Sequence, residues 1–177
     1  SYSCNTGIYS GIEPVTGDDG SRDSNQAYVP HAYDIVVDTP QLSEGNNDRI
    51  KLILKRHQET SKRLQMPMII GEWGAFGNSS DKGVVSAAEA IQRQFEKLVC
   101  SDTYWDDGRN IDQQAYFHPL KRSIPTRVAG ELVEYQSDPS SREFRCRWKE
   151  SAEISSATII YLTESSMAGR KIKLDGK

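Results

Sequence analysis

No run in this sequence approaches the roughly 18 apolar residues that a membrane-spanning helix requires. Cysteine is scarce: Cys4, Cys100 and Cys146 are the only three, with no Cys-x-x-Cys pair and no histidine at ligand spacing. That spacing argues against a structural zinc site. It leaves open either one disulfide with a free thiol or three buried thiols, and the redox compartment with them. An excess of basic residues is also lacking. The net charge is −3 and no basic stripe appears, so nothing electrostatic favours nucleic acid as a partner. Lys51, Lys55, Arg56, Lys62 and Arg63 do cluster, but at spacings that place them on the solvated face of a helix. Internal repeats and low-complexity tracts are absent. The chain starts Ser1-Tyr2-Ser3-Cys4, without an initiator Met or a signal peptide. It therefore reads as processed or excised, and the missing targeting signal excludes nothing. Secreted, vesicular and cytoplasmic locations stay open, with secretion preferred.

What is present centres on residues 66–77. Met68-Ile69-Ile70 is a short apolar run after Pro67, the pattern of a parallel strand covered on both faces. Gly71 lets the backbone change course, and Glu72 is the first side chain offered at the strand's carboxyl end, beside Trp73 and before Gly74. In parallel α/β folds the loops at that end converge on one crevice, which makes Glu72 a candidate catalytic carboxylate. A surface loop with an incidental acid is the plain alternative.

The flanking segments alternate between strand and helix. Residues 7–14 read as a short strand ending in Glu13, and residues 27–34 as another that delivers His31 and Tyr33. Asn47-Asp48 can cap a helix whose Ile50, Ile53, Leu54, His57 and Leu64 form one inward stripe. A second amphipathic helix carries Val84, Ala87, Ala88, Ile91, Phe95 and Leu98, and Thr103-Tyr104-Trp105 ends a further strand. The spacing predicts a parallel sheet with helical crossovers over residues 1–117. Residues 118–177 change character. Helical periodicity stops, and strands are expected at residues 130–136, 142–149, 158–162 and 171–174. In the second of these Phe144, Cys146 and Trp148 alternate with Arg145 and Arg147, and Asp138-Pro139-Ser140-Ser141 supplies a turn.

Placed on one rim, the strand ends offer Glu13, His31, Tyr33, Glu72 and Trp105. A carboxylate can act as nucleophile toward an oxocarbenium-like transition state, and a tyrosine hydroxyl can orient it. An indole can stack on the apolar face of a sugar ring, and an imidazole can hydrogen-bond a hydroxyl. Taken singly, His31 is as well explained as a loop histidine, Tyr33-Asp34 as turn chemistry and Trp105 as core. Only their convergence gives the functional reading its weight.

The motifs Pro30-His31-Ala32-Tyr33-Asp34, Pro67-Met68-Ile69-Ile70-Gly71-Glu72-Trp73-Gly74 and Asp102-Thr103-Tyr104-Trp105, in that order, resemble the carboxyl-terminal half of a glycoside hydrolase family 5 barrel. Residues 120–130, Leu-Lys-Arg-Ser-Ile-Pro-Thr-Arg-Val-Ala-Gly, resemble the junction to a β-sandwich in endoglycoceramidase-related members. The resemblance implies an α/β fold, the second half of a (β/α)8 TIM barrel (strands 5–8), followed by a β-sandwich domain. It implies a retaining β-glycosidase in which Glu72 is the nucleophile and Tyr33 contacts it. His31 and Trp105 line the sugar site, and Trp73 and Glu13 join them as candidate substrate contacts. The substrates implied are β-linked glycolipids such as glucosylceramide, oligosaccharyl ceramides or steryl glucosides, and with them peripheral contact with lipid surfaces. Neither a metal nor a cofactor is implied.

One departure matters. The family's acid/base lies in an Asn-Glu-Pro motif, which this chain lacks; Ile12-Glu13-Pro14 is the nearest tripeptide. It precedes His31 by too little chain for a strand and its helix, so it is expected to end the fifth strand. A complete barrel takes about 250 residues. A partner segment, either a second chain or an amino-terminal part, is therefore expected to complete the barrel and bring the acid, and this chain alone to be inactive. The competing class is a non-catalytic carbohydrate- or lipid-binding module; a purely structural interaction fragment is the third.

Overall fold

The computed structural model describes residues 6–37, 39, 41, 44, 47–77, 79, 82–169 and 171–175. Cys4, with any disulfide it forms, lies outside them. The chain divides into two compact units, Ser1–Phe117 and His118–Lys177.

The first unit is a parallel α/β sheet. Strands β1 (His31–Ala32), β2 (Ile69–Gly74) and β3 (Ser101–Trp105) lie in the order β1-β2-β3, all parallel. Helix α1 (Asn47–Leu64) links β1 to β2, and α2 (Lys82–Leu98) links β2 to β3. In α1 the buried residues are Ile50, Ile53, Leu54, His57, Thr60 and Leu64, so the apolar stripe read from the spacing is the face that packs. Val84, Ala88, Ile91 and Phe95 play the same part in α2. Both helices stop without a glycine. Gln65 (φ 51°) and Val99 (φ 50°) take the left-handed position themselves. The reverse bonds Met66 N–H to Ser61 O (3.2 Å) and Cys100 N–H to Phe95 O (3.3 Å) close each end in the Schellman pattern. None of the described helices is long and apolar enough to cross a membrane.

Two expectations for this unit fail. Residues 7–14 form no strand. Two of their carbonyls are taken by α1 instead of by a neighbouring strand: Arg63 donates to Ser10 O at 3.1 Å and to Ile12 O at 2.7 Å. Arg56 also caps the Tyr9 ring, its guanidinium carbon 4.4 Å from the centroid. The described sheet therefore has three parallel strands, not four. The central strand is also not covered on both faces. Ile70 is fully buried but Ile69, on the opposite face, stays 36% exposed.

The second unit is β-rich. Strands β5 (Gly130–Asp138) and β6 (Glu143–Glu150) form an antiparallel hairpin, and β4 (Ile124–Arg127) pairs antiparallel with β7 (Ile159–Tyr161). Along β6, Phe144, Cys146 and Trp148 are half-buried while Arg145 and Arg147 face water, as the alternation predicts. Asp138 sets the hairpin turn. It accepts from the Ser140 hydroxyl at 2.6 Å and from the Ser140 N–H at 2.9 Å, bonds that push its carboxyl down to about 2. The strand expected at residues 171–174 does not form; Ile172 and Leu174 are 64% and 82% exposed, with no partner strand among the described residues. Among the described residues, Cys100 and Cys146 are not bonded to each other.

Candidate active site at the carboxyl end of the sheet

The register of β2 decides which way Glu72 points. Ile70 pairs with Asp102 and Trp73 with Tyr104, so β2 carries one more residue than β3 between those pairs. This bulge breaks the two-residue alternation. Ile70 and Trp73, an odd number of positions apart, both enter the core, and Glu72 is left on the opposite, open face. Gly71 leaves room there. A Cβ at that position would meet Val29 Cγ1 at 2.8 Å and the His31 ring at 3.4 Å.

On the open face His31 of β1 is the register partner of Glu72. His31 Nδ1 lies 3.1 Å from Glu72 Oε2, and the Tyr33 hydroxyl donates to the same oxygen at 2.9 Å. The His31 and Tyr33 rings meet edge to face, 6.2 Å between centroids. The Tyr33 hydroxyl and His31 Nδ1 both converge on Oε2, and among the described residues Oε1 accepts no hydrogen bond. The carboxylate is 31% exposed, which is enough for a ligand to approach the free oxygen. Chemically this is an oriented carboxylate with one lone-pair set held and the other available.

Trp105 ends β3 at the same end of the sheet, opposite Gly74 in register and 51% exposed. Its carbonyl is held by the Ala75 N–H at 2.7 Å. The other two candidate contacts are elsewhere. Trp73 is fully buried. Its Nε1–H donates to Asp102 at 2.8 Å, and its ring packs edge-on against Phe95 and Tyr104, each 5.3 Å away. It is a core residue, because the bulge turns it inward. Glu13 is exposed and paired with Arg63 at 3.1 Å. Arg63 lies in the last turn of α1. A crossover helix runs antiparallel to its strands, so Glu13 sits at the amino-terminal end of the sheet, away from Glu72.

Several residues of this region escape a reading by motif. Asp34 accepts from Arg49 Nε at 3.1 Å and Nη2 at 2.9 Å. His57 bonds the Tyr28 hydroxyl through Nδ1 (2.9 Å) and the His31 carbonyl through Nε2 (3.1 Å). The Thr103 hydroxyl donates to Gly71 O, on the strand that carries Glu72. His57 alone left a signal, as the one imidazole in an otherwise apolar helical stripe. Burial pushes its pKa down.

Comparison with known proteins points to a class first. Residues 122–177 match the glycoside hydrolase family 5 C-terminal domain. The chain's fold then resembles that of endo-glycoceramidase II from Rhodococcus sp. The five-membered iminocyclitol complex gives a TM-score of 0.73 at 23% identity, over 92% of this chain and 38% of that one. The cellobiose-like isofagomine complex gives 0.71 at 24% identity, and the lactosyl-enzyme intermediate 0.69 at 23%. Each of these two also covers 92% of this chain and 38% of the other. This chain thus spans little more than a third of the length of those structures. A comparison with curated proteins found no match. The resemblance read from the motifs, to the carboxyl-terminal portion of an endoglycoceramidase-related family 5 enzyme, is the one that both the family match and the fold return.

Proposed function

We propose that this chain is the carboxyl-terminal part of a retaining β-glycosidase that acts on β-linked glycolipids: glucosylceramide, oligosaccharyl ceramides or steryl glucosides. Glu72 is the nucleophile. The observation that carries this reading is the convergence of Tyr33 and His31 on one oxygen of Glu72, at the carboxyl end of the central parallel strand. In the first half of the reaction the free Glu72 oxygen attacks the anomeric carbon and the glycosidic C–O bond breaks. The departing alkoxide takes a proton from an acid; water then attacks the glycosyl ester and releases the sugar. Tyr33 and His31 hold the carboxylate in line, and Trp105 offers a stacking face for the sugar.

We assign the acid to a segment outside this chain: Glu13, in the tripeptide nearest to the family's acid/base motif, lies at the other end of the sheet from Glu72, and a retaining pair stands only about 5–5.5 Å apart. Strands β1–β3 are read as the last three of a (β/α)8 barrel, completed by an amino-terminal segment or a second chain, with residues 118–177 as the appended β-sandwich. The open face of the sheet supports this. Val29 and Ile69, 51% and 36% exposed, lie below the polar rim, where the side chains of a closed barrel interior belong. One of the similar structures is a lactosyl-enzyme intermediate, which fits a covalent mechanism in that protein.

The test is covalent trapping. The assembled enzyme, this chain together with the segment that completes the barrel, is treated with a 2-deoxy-2-fluoro-β-glycoside and its peptides are mapped by mass. Label is expected on Glu72, and Glu72→Ala is expected to lose turnover by about 10⁴-fold or more. Label on another residue, or glycan binding without turnover, would overturn the proposal; the second outcome favours a binding module.

A further inference from the structure

Glu72 owes its orientation to two residues of one short segment, His31 and Tyr33, and β1 is only two residues long. So short a strand cannot hold its own side chains in place, and something else has to. We propose that helix α1 is the positioning element of the site: Arg49 and His57 fasten the two ends of the 31–34 segment and thereby aim the two side chains that meet Glu72. This rests on Glu72 being the nucleophile.

At one end, Arg49 in the first turn of α1 grips Asp34, the residue after Tyr33. Nε reaches Oδ1 at 3.1 Å and Oδ2 at 3.2 Å, and Nη2 reaches Oδ1 at 2.9 Å. The same guanidinium group bonds Glu44 O at 3.2 Å, and Asp34 Oδ1 also accepts the Val36 N–H at 3.2 Å. The Asp34 side chain is only 11% exposed while that of Arg49 is 40% exposed, so the carboxylate is shielded and the planar guanidinium group fixes direction as well as distance. At the other end, His57 faces the His31 carbonyl. A carbonyl only accepts, so Nε2 carries the proton and Nδ1 accepts from the Tyr28 hydroxyl. The imidazole is 2% exposed and held on both nitrogens, which makes it a fixed peg under β1. Neither residue touches Glu72. Each acts through the backbone that carries one of those two side chains.

A double-mutant cycle on the assembled enzyme separates positioning from mere stability. Arg49→Gln is expected to lower kcat/KM about tenfold, mainly through kcat, while the urea midpoint shows the protein folded. In a Tyr33→Phe background, where the hydroxyl that Arg49 aims is gone, the same substitution is expected to cost less than about twofold. His57→Leu should lose about tenfold, and His57→Gln, whose amide can still donate to the His31 carbonyl, should recover most of it. Equal losses from Arg49→Gln in both backgrounds, or no loss at all, would overturn the proposal. If Arg49→Gln does not fold, Arg49→Lys, which keeps the charge but not the fork, enters the same cycle and is read in the same way. Retained activity in Glu72→Ala sinks the functional reading instead, whatever the cycle shows.

Discussion

Gly74 of β2 packs directly against the Tyr104 ring of β3. Its φ is +96°, and a Cβ built there would sit 2.2 Å from Tyr104 Cε2. The Tyr104 ring cannot move aside easily, since it is wedged against Trp73, Phe76 and Tyr116, with centroids 5.3, 6.2 and 5.7 Å away. Gly74→Ala combines an unfavourable backbone angle with overpacking, and a loss of about 2–4 kcal/mol is expected by urea denaturation. An unchanged midpoint would mean that the ring swings. Glu72, two residues earlier, shows how one inserted residue redirects chemistry. Without the bulge the alternation would exchange the sides of Trp73 and its neighbour, and a carboxylate would be pressed into the helix-covered core.

At the scale of elements, α1 is both wall and scaffold. Its inward stripe was readable from the spacing, including the buried position of His57, because a helix repeats every 3.6 residues whatever it packs on. The partners of His57 were not readable, since Tyr28 and His31 reach it only through the fold. Burial lowers the pKa of His57 below its usual 6.5, so the unfolded chain takes up this proton at a higher pH than the native one does. The associated stability is complete above the unfolded value of 6.5 and is lost as pH falls through the lowered native value. Urea midpoints between about pH 8 and about pH 5 are expected to fall, and His57→Leu is expected to flatten that part of the slope. At the carboxyl end of α1, exposed Gln65 holds a left-handed conformation that glycine adopts more readily. Gln65→Gly should raise stability by about 0.5–1 kcal/mol, measured in the same titration; a decrease would show that the Gln65 side chain contributes more than its backbone strain costs.

At the scale of the whole molecule, the described parallel sheet is open. Strands β1 and β3 each have β2 as their neighbour and one free edge, and free edges invite pairing. On the proposal made above, those edges belong against the remaining strands of a barrel. The chain by itself is then expected to give no measurable hydrolysis of an aryl β-glucoside, and the assembled enzyme to turn it over. Hydrolysis by the isolated chain would show that the acid/base lies within these 177 residues after all.

The local patterns determined the elements: the two amphipathic helices, the strand end at Glu72, and the alternating strand around Phe144, Cys146 and Trp148. Each is written in spacing that the backbone period imposes. The motifs around His31, Tyr33, Glu72 and Trp105 also carried the resemblance to family 5. Only the tertiary structure decided that residues 7–14 strap α1, because a guanidinium group fifty residues away can satisfy carbonyls as well as a strand can. The burial of Trp73 and the placement of Glu13 at the far end of the sheet were likewise outside the reach of sequence. They follow from a bulge and from the direction of a crossover helix, and neither is marked by residue type.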